Sequence, residues 1–128
     1  MEVRVKATAD WCAWEDAVLS GETKGAFNPY ADRPSAARLA LVRICSHHFS
    51  HGAWLDEGVL LREAGRPAGI PGVLIHGRLD MGGPLDTAGE LHRAWPDSRL
   101  IVVEDAGHLG GVTTGGQVRQ ALDRFAGR

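Results

Sequence analysis

One tyrosine, three phenylalanines, two methionines and two cysteines are all that 128 residues hold of those types. Cys12 and Cys45 are isolated, with no CxxC pair, which excludes a dense disulfide framework and points to a reducing, cytoplasmic setting. Basic residues are not in excess. Fourteen Lys and Arg stand against sixteen Asp and Glu, a formal charge of −2, and no lysine-rich run argues for a nucleic-acid partner. No apolar run approaches the roughly 18 residues of a membrane span. The start, Met1-Glu2-Val3-Arg4-Val5-Lys6, has no apolar signal-peptide core. Neither nucleic acid nor membrane is therefore expected as a partner. Internal repeats are missing too. Glycine runs against this scarcity, at 17 residues, most of them in turns after residue 50.

What is present begins with helical periodicity. Val3, Ala7, Trp11, Trp14 and Val18 recur every three or four residues and predict a helix over 3–19 with one apolar face. Ser20-Gly21 is its expected stop. Residues 21–34, GETKGAFNPYADRP, are punctuated by Gly, Asn-Pro and Arg-Pro and read as loop. Ser35 is placed to cap a second helix over 35–49. Ala36, Leu39, Val42, Ile44 and Phe49 are its apolar positions, and Gly52 ends it. A shorter helix is expected over 53–64, then a connector from Arg66 to Gly72.

The period then changes. Val73-Leu74-Ile75 and Leu100-Ile101-Val102-Val103 are unbroken apolar runs of strand length. Strands buried on both faces of a parallel sheet read this way. Between them, Pro84 to Trp95 places Leu85, Ala88, Leu91 and Trp95 on one side of a helix, with Pro84 suited to its first turn. Strand, helix, strand is a βαβ crossover. A last helix over 114–126 is expected to turn Val118, Leu122 and Phe125 toward the sheet. The fold class is thus α/β, with a helical part and connector over 1–69 and a β-α-β-α part over 70–128. Two parallel strands make a poor sheet alone, and their edge invites pairing. The chain reads as the end of a larger α/β domain, open to self-association through that edge.

Asp80 and His108 stand just past the carboxyl ends of the two strands, where open α/β sheets place ligands. An Asp that orients a His, so that the His can take a proton from a nucleophile, is the logic of a Ser-His-Asp triad. Taken alone, Asp80 reads as a loop cap before Pro84 and His108 as a surface histidine in an Ala-Gly-His-Leu-Gly turn. Together, one at each strand end, they read as a pair.

The residues also carry a family resemblance. Trp11-Cys12-Ala13-Trp14-Glu15, Arg43-Ile44-Cys45-Ser46-His47-His48-Phe49, Ile70 through Asp80, and Asp105-Ala106-Gly107-His108 resemble proline iminopeptidase. This family, also called prolyl aminopeptidase, comprises serine peptidases of the α/β-hydrolase fold. The resemblance runs over nearly all of the chain but covers only the last part of the family's length, from within the helical cap to the C-terminus. It implies that Asp80 is the triad acid and His108 the base. It also implies that Glu15 helps hold the free α-ammonium of a peptide substrate with N-terminal proline, with no cofactor. An aminopeptidase needs fixed negative charge at that point; without the family, Glu15 reads as a solvated helix face. The family has a second acidic residue in a motif RIE-N-H-Y-F. Cys45 stands in its place here, a departure that bears on ammonium binding and on the preference for proline. Two other readings stay open: another α/β-hydrolase, such as an esterase or epoxide hydrolase, and a non-catalytic truncated or interaction chain.

A nucleophile is harder to find. His48-Phe49-Ser50-His51-Gly52 half-matches G-x-S-x-G, and Ser50, Asp80 and His108 fall in α/β-hydrolase order. A nucleophile elbow is a strained turn between strand and helix, whereas Ser50 follows a helical pattern and has bulky His48 two residues before it. Ser20, Ser35, Ser46 and Ser98 lack the glycine context altogether. Nucleophile and oxyanion donors are expected upstream of Met1, and the chain alone is expected to be inactive.

Other features are weaker. His47 and His51 are four apart, a spacing that can bind metal, but no HExxH completes it and no metal is expected. His76 reads as a strand-end packing or hydrogen-bonding residue. Trp11, Trp14, Trp54 and Trp95 read as core. Gly82-Gly83-Pro84 begins a helix but lacks a P-loop pattern.

Overall fold

The computed structural model describes residues 2–127. The chain divides into two compact units, Met1–Glu57 and Gly58–Arg128. The first holds α1 (Glu2–Thr23) and α2 (Ser35–Ser50), followed by a single turn at Gly52–Trp54. The second holds α3 (Val59–Arg62), β1 (Gly72–Gly77), α4 (Leu85–Ala94), β2 (Ser98–Val103) and α5 (Val112–Phe125).

In the first unit, α1 runs through Ser20-Gly21 to Thr23. A lone Gly inside a helix costs only about 1 kcal/mol against Ala, so Gly21 does not stop it. Lys24 and Gly25 do, because both take left-handed backbone, φ 51° and 74°. The buried stripe is Thr8, Cys12, Asp16, Leu19 and Thr23, offset from the expected apolar face, and Trp14 is 62 % exposed. Asp16 explains part of that shift. Its two carboxylate oxygens accept the backbone N–H groups of Tyr30 and Ala31, each at 2.8 Å. The helix is thus turned to fasten the 28–32 loop. Trp11 packs edge-on to Tyr30 at 5.7 Å.

α2 follows Pro34 with no side-chain cap; Ser35 is its first residue. After it, the helix expected over 53–64 is broken. Gly52, Ala53 and Trp54 all have positive φ, backbone that costs about 1–3 kcal/mol per non-Gly residue. Indole packing holds the turn: Trp54 stacks on His51 at 5.1 Å and meets His47 and His48 edge-on. Trp54 stays exposed, so it joins Trp14 in departing from the core role expected for the tryptophans. Gly58, with φ 70°, then starts the four-residue α3 in the second unit.

In the second unit, β1 and β2 pair in parallel, in register from Gly72↔Ser98 to Gly77↔Val103. Trp95 closes the entry to β1. Its Nε1–H donates to Ile70 O at 3.1 Å, and its ring lies where a Cβ on residue 72 would stand, 2.5 Å away. The strands carry the sequence of fully buried ones, yet only Gly77 and Val103 are buried. With two strands, each face is covered along one stripe alone. α5 lies against both strands, with a small cavity between them lined by Val73, Ile101, Gln117 and Ala121 among others. Val118, Leu122 and Phe125, expected to face the sheet, are exposed, Leu122 by 61 %. Among the described residues there is no further strand for them to cover.

The sheet's far end positions the site. Past Gly77, Arg78 N–H donates to Val103 O at 2.9 Å and Leu79 N–H to Ala106 O at 3.0 Å. A Cβ on residue 77 would lie 2.4 Å from Ala106 O and 2.6 Å from Gly107 O, so only glycine lets the two loops close together. Gly77→Ala is expected to cost about 1–3 kcal/mol through overpacking, read as a lower urea midpoint. An unchanged midpoint contradicts this packing.

Candidate active site

The parallel register brings both strands out at one end, and each continues into a functional loop. Arg78 and Glu104, the first residues beyond β1 and β2, form a two-point ion pair, with Nη2 to Oε1 at 2.8 Å and Nε to Oε2. The pair pushes the Arg78 guanidinium up and pulls the Glu104 carboxyl down, chiefly through its hydrogen bonds. Being exposed, it aligns the loops more than it stabilises them.

Asp80 comes two residues later. Its Oδ1 accepts the N–H of Gly82 at 2.8 Å and of Gly83 at 2.7 Å. Its side chain is only 9 % exposed. His108 stands in the opposite loop, within a tight turn bridged between Gly107 and Gly110. Gly110 holds φ 75° there. His108 Nδ1 is 3.2 Å from Asp80 Oδ1 and 3.3 Å from Oδ2. A carboxylate only accepts, so Nδ1 carries the hydrogen and shares it between the two oxygens. Nε2 is then the basic nitrogen of the ring. The His108 side chain is 44 % exposed. Residue 82 must be small here: a Cβ on it would sit 3.1 Å from His108 Nδ1.

Asp80 thus makes two sets of contacts. It caps its own turn, and it faces His108. His76 adds a contact that the sequence suggested only in general terms. Its Nε2 lies 2.7 Å from Gly83 O and 3.6 Å from Asp80 Oδ2.

The first unit carries the other candidates. Glu15 is half-buried on α1, and Cys45 is half-buried on α2. Both act on Tyr30: burial pushes the Tyr30 phenol up, and the charge of Glu15 adds to this, with Cys45 a lesser contributor and Arg33 opposing. Tyr30 is thus a neighbour common to the two candidates, which motif spacing did not indicate. Cys12 is fully buried. Burial pushes its thiol up, so it is a poor nucleophile.

Comparison with known proteins gives this arrangement its setting. The chain is 37 % identical over 97 % of its length to a probable proline iminopeptidase of Streptomyces coelicolor. It is 41 % identical over 82 % of its length to a proline iminopeptidase of Xylella fastidiosa, and 35 % identical over 84 % to one of Neisseria gonorrhoeae. By sequence, the chain matches the C-terminal part of the proline iminopeptidases. It spans 39 %, 34 % and 33 % of the length of these three relatives. It matches no protein-family model. The fold is mixed α/β, the C-terminal portion of the α/β-hydrolase fold that proline iminopeptidases have.

All five serines of the chain lie in helices or at the start of β2, none at a strand-to-helix turn. Ser50 ends α2, with its hydroxyl donating to His47 O at 3.1 Å. Ser98 opens β2 and bonds Trp95 O at 2.8 Å. Among the described residues, no group of three or more His, Cys, Asp or Glu is arranged to hold a metal. The rings of His47 and His51 are 4.6 Å apart between centroids and pack around Trp54. Among the described residues, no helix is long and apolar enough to cross a membrane.

The turn at 80–83 should depend on the Asp80 carboxylate. In Asp80→Ala, amide hydrogen exchange at Gly82 and Gly83 is expected to speed up about tenfold or more, since bonds to a charged acceptor are worth about 1.5–3 kcal/mol. Unchanged exchange at both amides contradicts the assigned geometry.

Proposed function

We propose that this chain supplies the acid and the base of a serine aminopeptidase relay that releases N-terminal proline from peptides. One observation carries the proposal: Asp80 and His108 meet at adjoining strand ends, Nδ1 to Oδ1 at 3.2 Å, in a chain that matches proline iminopeptidases. In this relay, His108 Nε2 takes the hydroxyl proton of a serine as that oxygen attacks the prolyl carbonyl. Asp80 holds the ring in the Nδ1–H tautomer and stabilises the imidazolium. The imidazolium then gives its proton to the leaving amine, and water resolves the acyl-enzyme by the same route.

The attacking serine and the oxyanion donors are assigned to the part of the family's length that this chain does not span. The placement of the five serines, four in helices and Ser98 at the start of β2, and the buried Cys12 thiol support that assignment. The chain alone is accordingly inactive. Residues 1–69 are assigned to the helical cap with its connector, and residues 70–128 to the hydrolase core. In the cap, Glu15 holds the substrate ammonium, and Cys45, where the family has an acid, weakens that hold. The uncovered Val118, Leu122 and Phe125 and the unpaired edges of a two-strand sheet support association, with the missing strands or with a second copy of the chain. The two free cysteines fit a cytoplasmic setting.

Mixing the chain with the N-terminal two-thirds of the Streptomyces coelicolor relative tests the proposal. Proline-arylamide hydrolysis is expected from the mixture and from neither part alone. His108→Ala is expected to lower kcat by about 10⁶, and Glu15→Ala to raise KM about tenfold. Turnover of a simple ester but not the arylamide, or indifference to Glu15→Ala, contradicts the aminopeptidase assignment. Light scattering on the isolated chain reads self-association, and a sharp monomer speaks against it.

A further inference from the structure

We infer that His76 is a positioning residue that holds the Asp80 carboxylate toward His108; this rests on the Asp80–His108 relay proposed above. The reasoning starts from what fixes Asp80. Its Oδ1 is held by the N–H groups of Gly82 and Gly83, so the carboxylate points where the 80–83 turn points. The near side of that turn is stitched to the sheet by Leu79 N–H on Ala106 O and Asp80 N–H on Gly77 O. Its far side is held by His76, whose ring Nε2 reaches Gly83 O at 2.7 Å. Gly83 is thereby gripped from both sides, its N–H by Asp80 and its C=O by His76.

A carbonyl only accepts, so His76 must carry its hydrogen on Nε2. That same N–H lies 3.6 Å from Asp80 Oδ2, the oxygen that Gly82 and Gly83 leave unbonded. His76 is the penultimate residue of β1, paired in register with Val102, and its side chain is largely buried. It is therefore a rigid post, set in the sheet, that fixes the turn. Supporting contacts of this kind orient a functional side chain and fix the tautomer of its partner. With the post removed, the turn keeps its near-side stitches but its far end swings free. Asp80 then loses its aim, and His108 loses the acceptor that keeps the hydrogen on Nδ1.

Tautomers read this directly. In ¹⁵N-histidine spectra of the intact chain above pH 8, His108 is expected mainly as Nδ1–H and His76 as Nε2–H. His76→Phe keeps the ring volume and removes the donor. It is expected to turn His108 from a majority to a minority of Nδ1–H. His76→Gln places an amide N–H near the same point and is expected to restore the wild-type tautomer. A side chain that only filled space would show the reverse order, with Phe harmless and Gln disruptive.

His108 remaining Nδ1–H in His76→Phe overturns the positioning role and leaves the relay standing. His108 as Nε2–H in the wild type overturns both. Should His76→Phe not fold, the wild type still decides: His76 found as Nδ1–H cannot donate to Gly83 O, and the proposal falls.

Discussion

The largely buried carboxylate of Asp80 is the point on which the arrangement of the second unit's strand ends depends. Two backbone N–H groups and an imidazole N–H converge on it. A buried carboxylate needs such donors, because unmet negative charge away from water is expensive. The same bonds that satisfy it also fix its direction. Everything around it serves that approach. Gly77 lets the Ala106–Gly107 backbone close against β1, Gly82 leaves room for the imidazole, and the parallel register delivers both loops at one end. The Asp80–His108 contact is thus a consequence of how two strands end.

Around that well-made corner the rest of the unit is thin. Ala64, Val103 and Ala106 are its buried apolar residues, and the sheet has two strands. The strands and α5 nevertheless carry the apolar content of a thicker domain. The chain spans about a third of its relatives' length, and the function proposed above accounts for the mismatch by contacts with strands elsewhere in that length. It also explains why Val118, Leu122 and Phe125 point to solvent.

Much of this was legible from the residues. The βαβ unit follows from two unbroken apolar runs around an amphipathic helix. The pairing of Asp80 with His108 follows from their places just past the strand ends. The first unit was read less well, because its decisive contacts are polar and local. Asp16, outside the apolar face that the spacing marks, turns α1 by capping the 28–32 loop. Gly21 looked like a stop but is tolerated, while Lys24 and Gly25, with left-handed backbone, end the helix. The left-handed turn at 52–54 depends on imidazole rings packing around Trp54, which periodicity does not register. His76 was readable as a hydrogen-bonding residue, but its partner, a carbonyl seven residues on, needed the folded turn. Tyr30, beside both Glu15 and Cys45, needed the fold as well.

In the function proposed above, this chain holds the acid and the base of a relay whose nucleophile lies outside it. Treating the purified chain with a fluorophosphonate probe, then repeating this with the N-terminal two-thirds of a relative present, tests that claim most directly. No label is expected on the isolated chain, and in the mixture label is expected only on a serine of the added polypeptide. Stoichiometric label on Ser50 of the isolated chain contradicts that claim.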